Sequence, residues 1–165
     1  MDRAPDGTER TSTDDGLPDG IERRLVLRLL AHWRGLRGER AFPSFAALEP
    51  AAIADIWPHC FILEPAADGS GLVVGGVGDA LDALFGRPLA GRPVAEIAAG
   101  SLPFMATGYV DEVLAKRAPV SHGGTFARRD GTRLLYRSIL LPMSDDGATI
   151  YGLLGAMNCR HVVDG

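Results

Sequence analysis

The sequence predicts an α+β fold, an antiparallel sheet with helices packed on it, from three observations. The stretch from Gly123 to Asn158 holds three runs rich in β-branched and large apolar residues, separated by Asp130-Gly131 and by Ser144-Asp145-Asp146-Gly147. Glycine takes positive φ at no steric cost and Asp tolerates it, so each break favours a tight reversal, and the three runs form a meander. Upstream, Cys60-Phe61-Ile62-Leu63 and Leu72-Val73-Val74-Gly75-Gly76-Val77 flank the turn Ala66-Ala67-Asp68-Gly69-Ser70-Gly71 and form a first hairpin. Helical patterns precede this hairpin and separate it from the meander. The order is therefore helix, strand, strand, helices, then three strands, five strands in all.

In chain order, residues 1–19 are polar and aperiodic and are expected to be a disordered acidic tail. The chain of 165 residues has a net charge of −4, and six carboxylates against two arginines place all of it in the first 20 residues. The remaining body is about neutral, so no nucleic-acid footprint is expected. Hydrophobic residues make up 46% and charged residues 23%, ordinary values for a soluble globular chain. No apolar run approaches the roughly 20 residues of a membrane helix. Met1 to Gly7 lacks the apolar segment of a signal peptide, and two cysteines make no disulfide framework, so a cytoplasmic location with reduced thiols is expected.

Residues 20–58 are expected to be an N-terminal helix and a helical connector. Ile21, Leu25, Leu29, Trp33 and Leu36 recur at spacings of four and three, with Arg24, Arg28 and His32 opposite, which predicts a helix from Ile21 to Gly38. Asp19 is its expected cap, and Gly35 and Gly38 weaken its far end. Ser44 and Pro50 mark short helical starts. Asp79 is expected to cap a short helix through Phe85, ended by Gly86 in the left-handed conformation. Ser101, with Pro103 in the first turn, opens a longer helix from Phe104 to Arg117, ended by Ala118-Pro119. Val120 then leads into the meander.

The strand Leu134 to Met143 has Leu134, Tyr136, Ser138 and Leu140 on one face and Leu135, Arg137, Ile139 and Leu141 on the other. Both faces are largely apolar, so both must be covered. The mid-chain helices supply one cover. The N-terminal helix supplies the other, either from the same chain or from a second copy; its stripe Leu25, Leu29 and Trp33 serves as a sheet-packing or a dimer surface, and a homodimer is expected.

This order resembles the PAS sensor fold. The residues carrying the resemblance are Leu30-Ala31-His32-Trp33-Arg34-Gly35-Leu36-Arg37-Gly38, Ile56-Trp57-Pro58-His59-Cys60-Phe61-Ile62, Phe85-Gly86-Arg87-Pro88-Leu89-Ala90-Gly91-Arg92 and Leu140-Leu141-Pro142-Met143-Ser144-Asp145-Asp146-Gly147, which together are similar to a compact bacterial PAS-like family over residues 24 to 158. The resemblance implies a five-stranded antiparallel sheet in the order 2-1-5-4-3, with helices on one face enclosing a pocket, a PAS-like core at residues 59–160 and a short C-terminal tail at 161–165. It implies a sensory or regulatory module with a small-molecule ligand, a signalling protein partner, or both. With no room for a kinase or DNA-binding segment, output is expected to pass to another chain by contact.

The chemistry is sparse. Gly76-Val77-Gly78 follows a strand and precedes a helix, but Leu81 stands where a dinucleotide fingerprint needs its third glycine. There is no nucleophile elbow, Walker loop or His-Glu-x-x-His, so no enzyme is expected. The alternative is a small hydrolase or isomerase with His122, the only candidate base near the pocket, which otherwise is a strand-end histidine facing water. PAS domains that carry flavin covalently, or haem, use a Cys or His in the mid-chain helices; residues 79–118 contain neither, so neither cofactor is expected. A noncovalent ligand would be lined by Phe85, Phe104, Tyr109, Phe126, Tyr136 and Ser138, unless these residues simply fill the core. Arg128 and Arg129 either bind an anion or form a solvated strand edge. The implied strand order brings His59 and Cys60 beside Cys159 and His161, a zinc or disulfide set by residue type. Adjacent residues on a strand face opposite ways, however, so two inert thiols are the expected state and no metal is expected.

Overall fold

The computed structural model describes residues 21–162, with side chains from Arg24 onward. The acidic tail at 1–19, with Asp19, the expected cap of the N-terminal helix, and residues 163–165 lie outside the described residues. The sheet has five strands: β1 (Cys60–Pro65), β2 (Leu72–Val77), β3 (Val120–Ala127), β4 (Arg133–Met143) and β5 (Gly152–His161). All neighbours are antiparallel and the order is β2-β1-β5-β4-β3, which is 2-1-5-4-3. The meander turns fall where the sequence placed them. Gly131 has φ +92° and Gly147 φ +80°, and the Asp146 carboxylate accepts hydrogen bonds from the Ser144 hydroxyl and from the Ala148 and Thr149 amides, each at 2.8 Å.

The period-2 alternation of β4 becomes two cores. Leu134 and Leu140 pack with Phe61, Leu63, Leu153 and Met157 beneath the mid-chain helices. Ile139, Leu141 and Met143 face the other way and pack with Cys60, Leu154 and Ala156 beneath α1 (Ile21–Arg37). Leu25, Leu29 and Trp33 are 5%, 0% and 4% exposed in this second cluster, and the Trp33 indole donates to the Pro142 carbonyl at 2.9 Å. The stripe that suggested a dimer surface is therefore the cover of the chain's own sheet, and its residues are not available to a second copy. Arg28 forms a paired contact with Asp55, one of its bonds measuring 3.0 Å, and ties α1 to the connector. Both side chains are more than half exposed, so the pair stabilises little.

The mid-chain helices depart from expectation in two places. α2 (Asp79–Phe85) is capped at Gly78 rather than Asp79, with no side-chain cap, while Gly86 closes it at φ +77°. Glycine is required at 78 because a Cβ there would lie 2.1 Å from the Pro58 carbonyl oxygen. Close passage of two backbones thus accounts for the glycine that half-completed a nucleotide fingerprint. The single helix expected from Phe104 to Arg117 is two: α3 (Leu102–Thr107), capped by Ser101 accepting from the Phe104 amide at 3.3 Å, and α4 (Val110–Lys116). Gly108 ends the first, with the Phe104 ring folded over the space a Cβ would fill. The break frees Tyr109 to turn toward the sheet.

Candidate functional site

The six residues expected to line one pocket divide between two places. Tyr109, Tyr136 and Ser138 meet in the interior, under α3 and the start of α4. Ser138 is fully buried, and its Oγ lies 2.7 Å from the Tyr109 hydroxyl and 3.4 Å from the Met105 carbonyl, to which it donates. The Tyr136 hydroxyl donates to the Met105 sulfur at 3.5 Å. Burial raises the pKa of both tyrosines, strongly for Tyr109, so both stay neutral hydrogen-bonding groups. Phe104, Met105, Tyr109 and Tyr136 all pack against this core, and the Phe61 ring covers Gly155.

His122 lies directly across the β3–β4 ladder from Ser138. Its ring stacks on Tyr109 with centroids 4.0 Å apart and planes tilted by 32°, and its Nε2 sits 2.8 Å from Glu112 Oε1. Lys116 donates to the other oxygen of Glu112 at 3.0 Å. Burial alone would raise the Glu112 pKa; the hydrogen bonds from His122 and Lys116 outweigh it and hold the carboxylate below its ordinary value. Sequence reasoning found His122 and missed Glu112, which is ten residues away on a different element. The imidazole is 38% exposed, and the fully buried Ser138 offers no nucleophile to it.

Phe85 and Phe126 lie elsewhere, in an open groove of about 660 Å³ between the end of α2, the loop leading to α3 and the tip of the β3–β4 hairpin. None of Phe104, Tyr109, Tyr136 or Ser138 lines it. Four arginines do: Arg87, Arg92, Arg128 and Arg129, facing the carboxylates Glu96 and Asp130. Arg128 donates to the Leu84 carbonyl at 3.2 Å. Sequence reading singled out Arg128 and Arg129 only; Arg87 and Arg92 join them because the loop after α2 folds back on β2, where the Val74 amide donates to the Arg92 carbonyl at 2.9 Å and the Gly91 amide to the Val74 carbonyl at 2.7 Å.

The cysteines occupy opposite faces. Cys60 pairs with Ala156 on the α1 side, whereas Cys159 pairs with Tyr136 and packs at the edge of the other core. His161 is exposed at the end of β5, and burial lowers the half-buried His59's pKa, opposed by a hydrogen bond to Met157 backbone. The zinc and disulfide readings both fall on this geometry, and among the described residues no group of three or more His, Cys, Asp or Glu could hold a metal.

A 2-1-5-4-3 antiparallel sheet with helices packed on one face is the architecture of PAS and Light-Oxygen-Voltage sensor domains. The chain belongs to the PAS domain family, whose model matches residues 22–158. Among solved structures it is similar to a Light-Oxygen-Voltage domain studied with a flavin analogue, at 16% identity and TM-score 0.50, covering 67% of this chain and 82% of that one. It is also similar to the dark-state blue-light photoreceptor domain of Aureochrome1 (15%, 0.48, 69% and 82%) and to the PAS domain of a Colwellia psychrerythraea protein (15%, 0.44, 68% and 95%). At these identities the likeness is one of fold. No curated protein matches the chain.

Proposed function

We propose that this protein is a non-enzymatic sensory or regulatory PAS module that acts through a small ligand and through contact with a signalling partner. The observation that carries the reading is the division of the expected pocket: the interior is closed by Tyr109, Ser138 and Met105, and an open groove with aromatic side chains at Phe85 and Phe126 lies beside it. The reading includes no covalently held flavin and no haem, because residues 79–118 offer neither a cysteine nor a histidine. The proposal places the protein in the cytoplasm, without nucleic-acid or membrane partners; no described helix is long and apolar enough to cross a membrane. Any homodimer would use a surface other than Leu25, Leu29 and Trp33. Native mass spectrometry of freshly purified protein tests the ligand: a co-purifying small mass supports sensing, and a clean apo mass that no small-molecule extract alters would reduce the reading to protein contact alone.

The second reading, a hydrolase or isomerase with His122 as base, has one observation in its favour, the 2.8 Å contact that lets Glu112 orient the imidazole. Activity-based screening of the wild type against His122→Ala decides it. Turnover abolished by that substitution would replace the sensory reading.

A further inference from the structure

The groove beside the interior combines two features that together define a ligand. Its floor is apolar: Phe85 and Phe126 line it with the buried Leu89 and Ile97. Its rim is cationic: four arginines against two carboxylates leave an excess of two positive charges. One of those carboxylates is already engaged, since Asp130 accepts from the Thr132 amide at 2.9 Å and hydroxyl at 2.7 Å within its own turn. The side chains of Arg87, Arg92 and Arg129 make no hydrogen bond or ion pair with any described residue. Arg128 points one Nη at the Leu84 carbonyl, while its Nε is buried with no partner among the described residues. A buried guanidinium nitrogen without an acceptor is costly, and an incoming oxyanion would satisfy it. The walls are fixed in place: the loop bearing Arg92 is bridged to β2 at Val73 and Pro93, and the hairpin bearing Arg128 and Arg129 closes with the Gly131 amide on the Arg128 carbonyl at 3.0 Å.

We propose that this groove is the ligand site and that it takes a small amphiphilic anion, an apolar body carrying one carboxylate or phosphate. The apolar part covers Phe85 and Phe126, and the anionic head meets the guanidinium groups, whose forked N–H donors match the oxygens of either head group. The volume suits a ligand of drug-like or fatty-acid size. This inference rests on the ligand-binding reading above and names the site and chemical class.

Calorimetric titration of the full chain with decanoate, decyl phosphate, decanol and inorganic phosphate tests it. Decanoate and decyl phosphate are expected to bind, with the tighter of the two identifying the preferred head group. Decanol is expected to bind at least about tenfold more weakly, the difference one charge-assisted hydrogen bond makes. Inorganic phosphate is expected to bind weakly for want of the apolar contact. Arg92→Ala with Arg129→Ala, both exposed side chains, with circular dichroism as the check that the fold is kept, is expected to weaken decanoate and decyl phosphate at least about tenfold while leaving decanol unchanged. Equal binding of decanol and decanoate, unchanged binding by the double variant, or no binding of either anion would overturn the proposal. A co-purifying mass retained by the double variant would overturn this site while leaving the sensory reading standing.

Discussion

The hydroxyl of Tyr109 lies 2.7 Å from that of Ser138, joining the start of α4 to the middle of β4. The bond closes the interior that would otherwise separate helices from sheet, and it is made where water cannot replace either partner. Tyr109→Phe removes one hydroxyl and leaves Ser138, fully buried, with only the longer 3.4 Å bond to the Met105 carbonyl. The expected loss of stability is about 1–2 kcal/mol, read from a shift of the urea midpoint at constant slope. The Tyr109→Phe, Ser138→Ala double variant is expected to be less destabilised than the sum of the singles, since the second change removes the group the first left unpaired.

Two glycines should respond differently to the same added methyl. At position 155 a Cβ would meet the Phe61 ring at 2.2 Å, and at 78 it would meet the Pro58 carbonyl oxygen at 2.1 Å. A ring can swing on its χ angles, whereas Pro58 is fixed in the short helical turn Trp57–His59 that leads into β1. Gly78→Ala is therefore expected to be the more destabilising, at about 3 kcal/mol or more, and Gly155→Ala to lie within the roughly 1–3 kcal/mol of overpacking. Denaturant midpoints of the two variants check the order, and a reversed order would mean that the Pro58 segment yields more easily than the Phe61 ring.

Leu29 reports on where α1 packs. Its side chain is fully buried against β4 and β5 residues of its own chain. Leu29→Ala is expected to cost about 2–5 kcal/mol, with no concentration dependence of the melting temperature. A midpoint that rises with protein concentration in the wild type and not in the variant would show that a second copy shares this face.

The contrast between these residues explains what was legible in the sequence. The meander, the first hairpin and α1 could be read because each is specified locally, by Asp-Gly and Asp-Asp-Gly turns, by period-2 alternation in β4 and by the spacing of Leu25, Leu29 and Trp33. The break at Gly108 was missed because Val110 to Lys116 continues the helical pattern, and only the pull of Tyr109 toward Ser138, across 29 residues, interrupts it. The groove arginines were half-legible for the same reason. Arg128 and Arg129 are sequence neighbours, whereas Arg87 and Arg92 reach them through the fold-back of a loop onto β2 that leaves no periodic trace. Glu112 beside His122 likewise depends on how α4 is set against β3.

Asp146 makes the β4–β5 turn sensitive to acid. Three hydrogen bonds, the Thr149 and Ala148 amides first and the Ser144 hydroxyl after them, hold its pKa far below the ordinary 3.8. A depressed folded-state pKa means that the stabilisation is present in full above the unfolded value and is lost as pH falls through and below it. Asp146→Asn is therefore expected to lower stability at neutral pH and to flatten its decline with acid below 3.8, relative to wild type. Urea titrations of both proteins across that range check the slope. Parallel curves would assign the turn's stability to Gly147 and the backbone alone.

The two thiols should separate cleanly by reactivity. Burial against α1 pushes the Cys60 pKa up to about 12, so almost none of it is thiolate at neutral pH, and its hydrogen is directed at the Ile56 carbonyl at 3.5 Å. Cys159 is half-buried near the open end of β5. Since the thiolate is the reacting form and access limits it further, Cys159 is expected to be alkylated by iodoacetamide orders of magnitude faster in the native state. Cys60 should be modified only at the rate of global opening, and the two rates should converge in urea. The same geometry forbids a bridge between them. Cys60 sits opposite Ala156, three residues before Cys159, and three strand residues span roughly 10 Å, beyond the roughly 7 Å that a disulfide tolerates between Cα atoms. Mild oxidation of the native protein is therefore expected to yield dimers linked through Cys159 and no intramolecular disulfide. Peptide mapping that found Cys60 joined to Cys159 without prior unfolding would show that β1 and β5 slip in register.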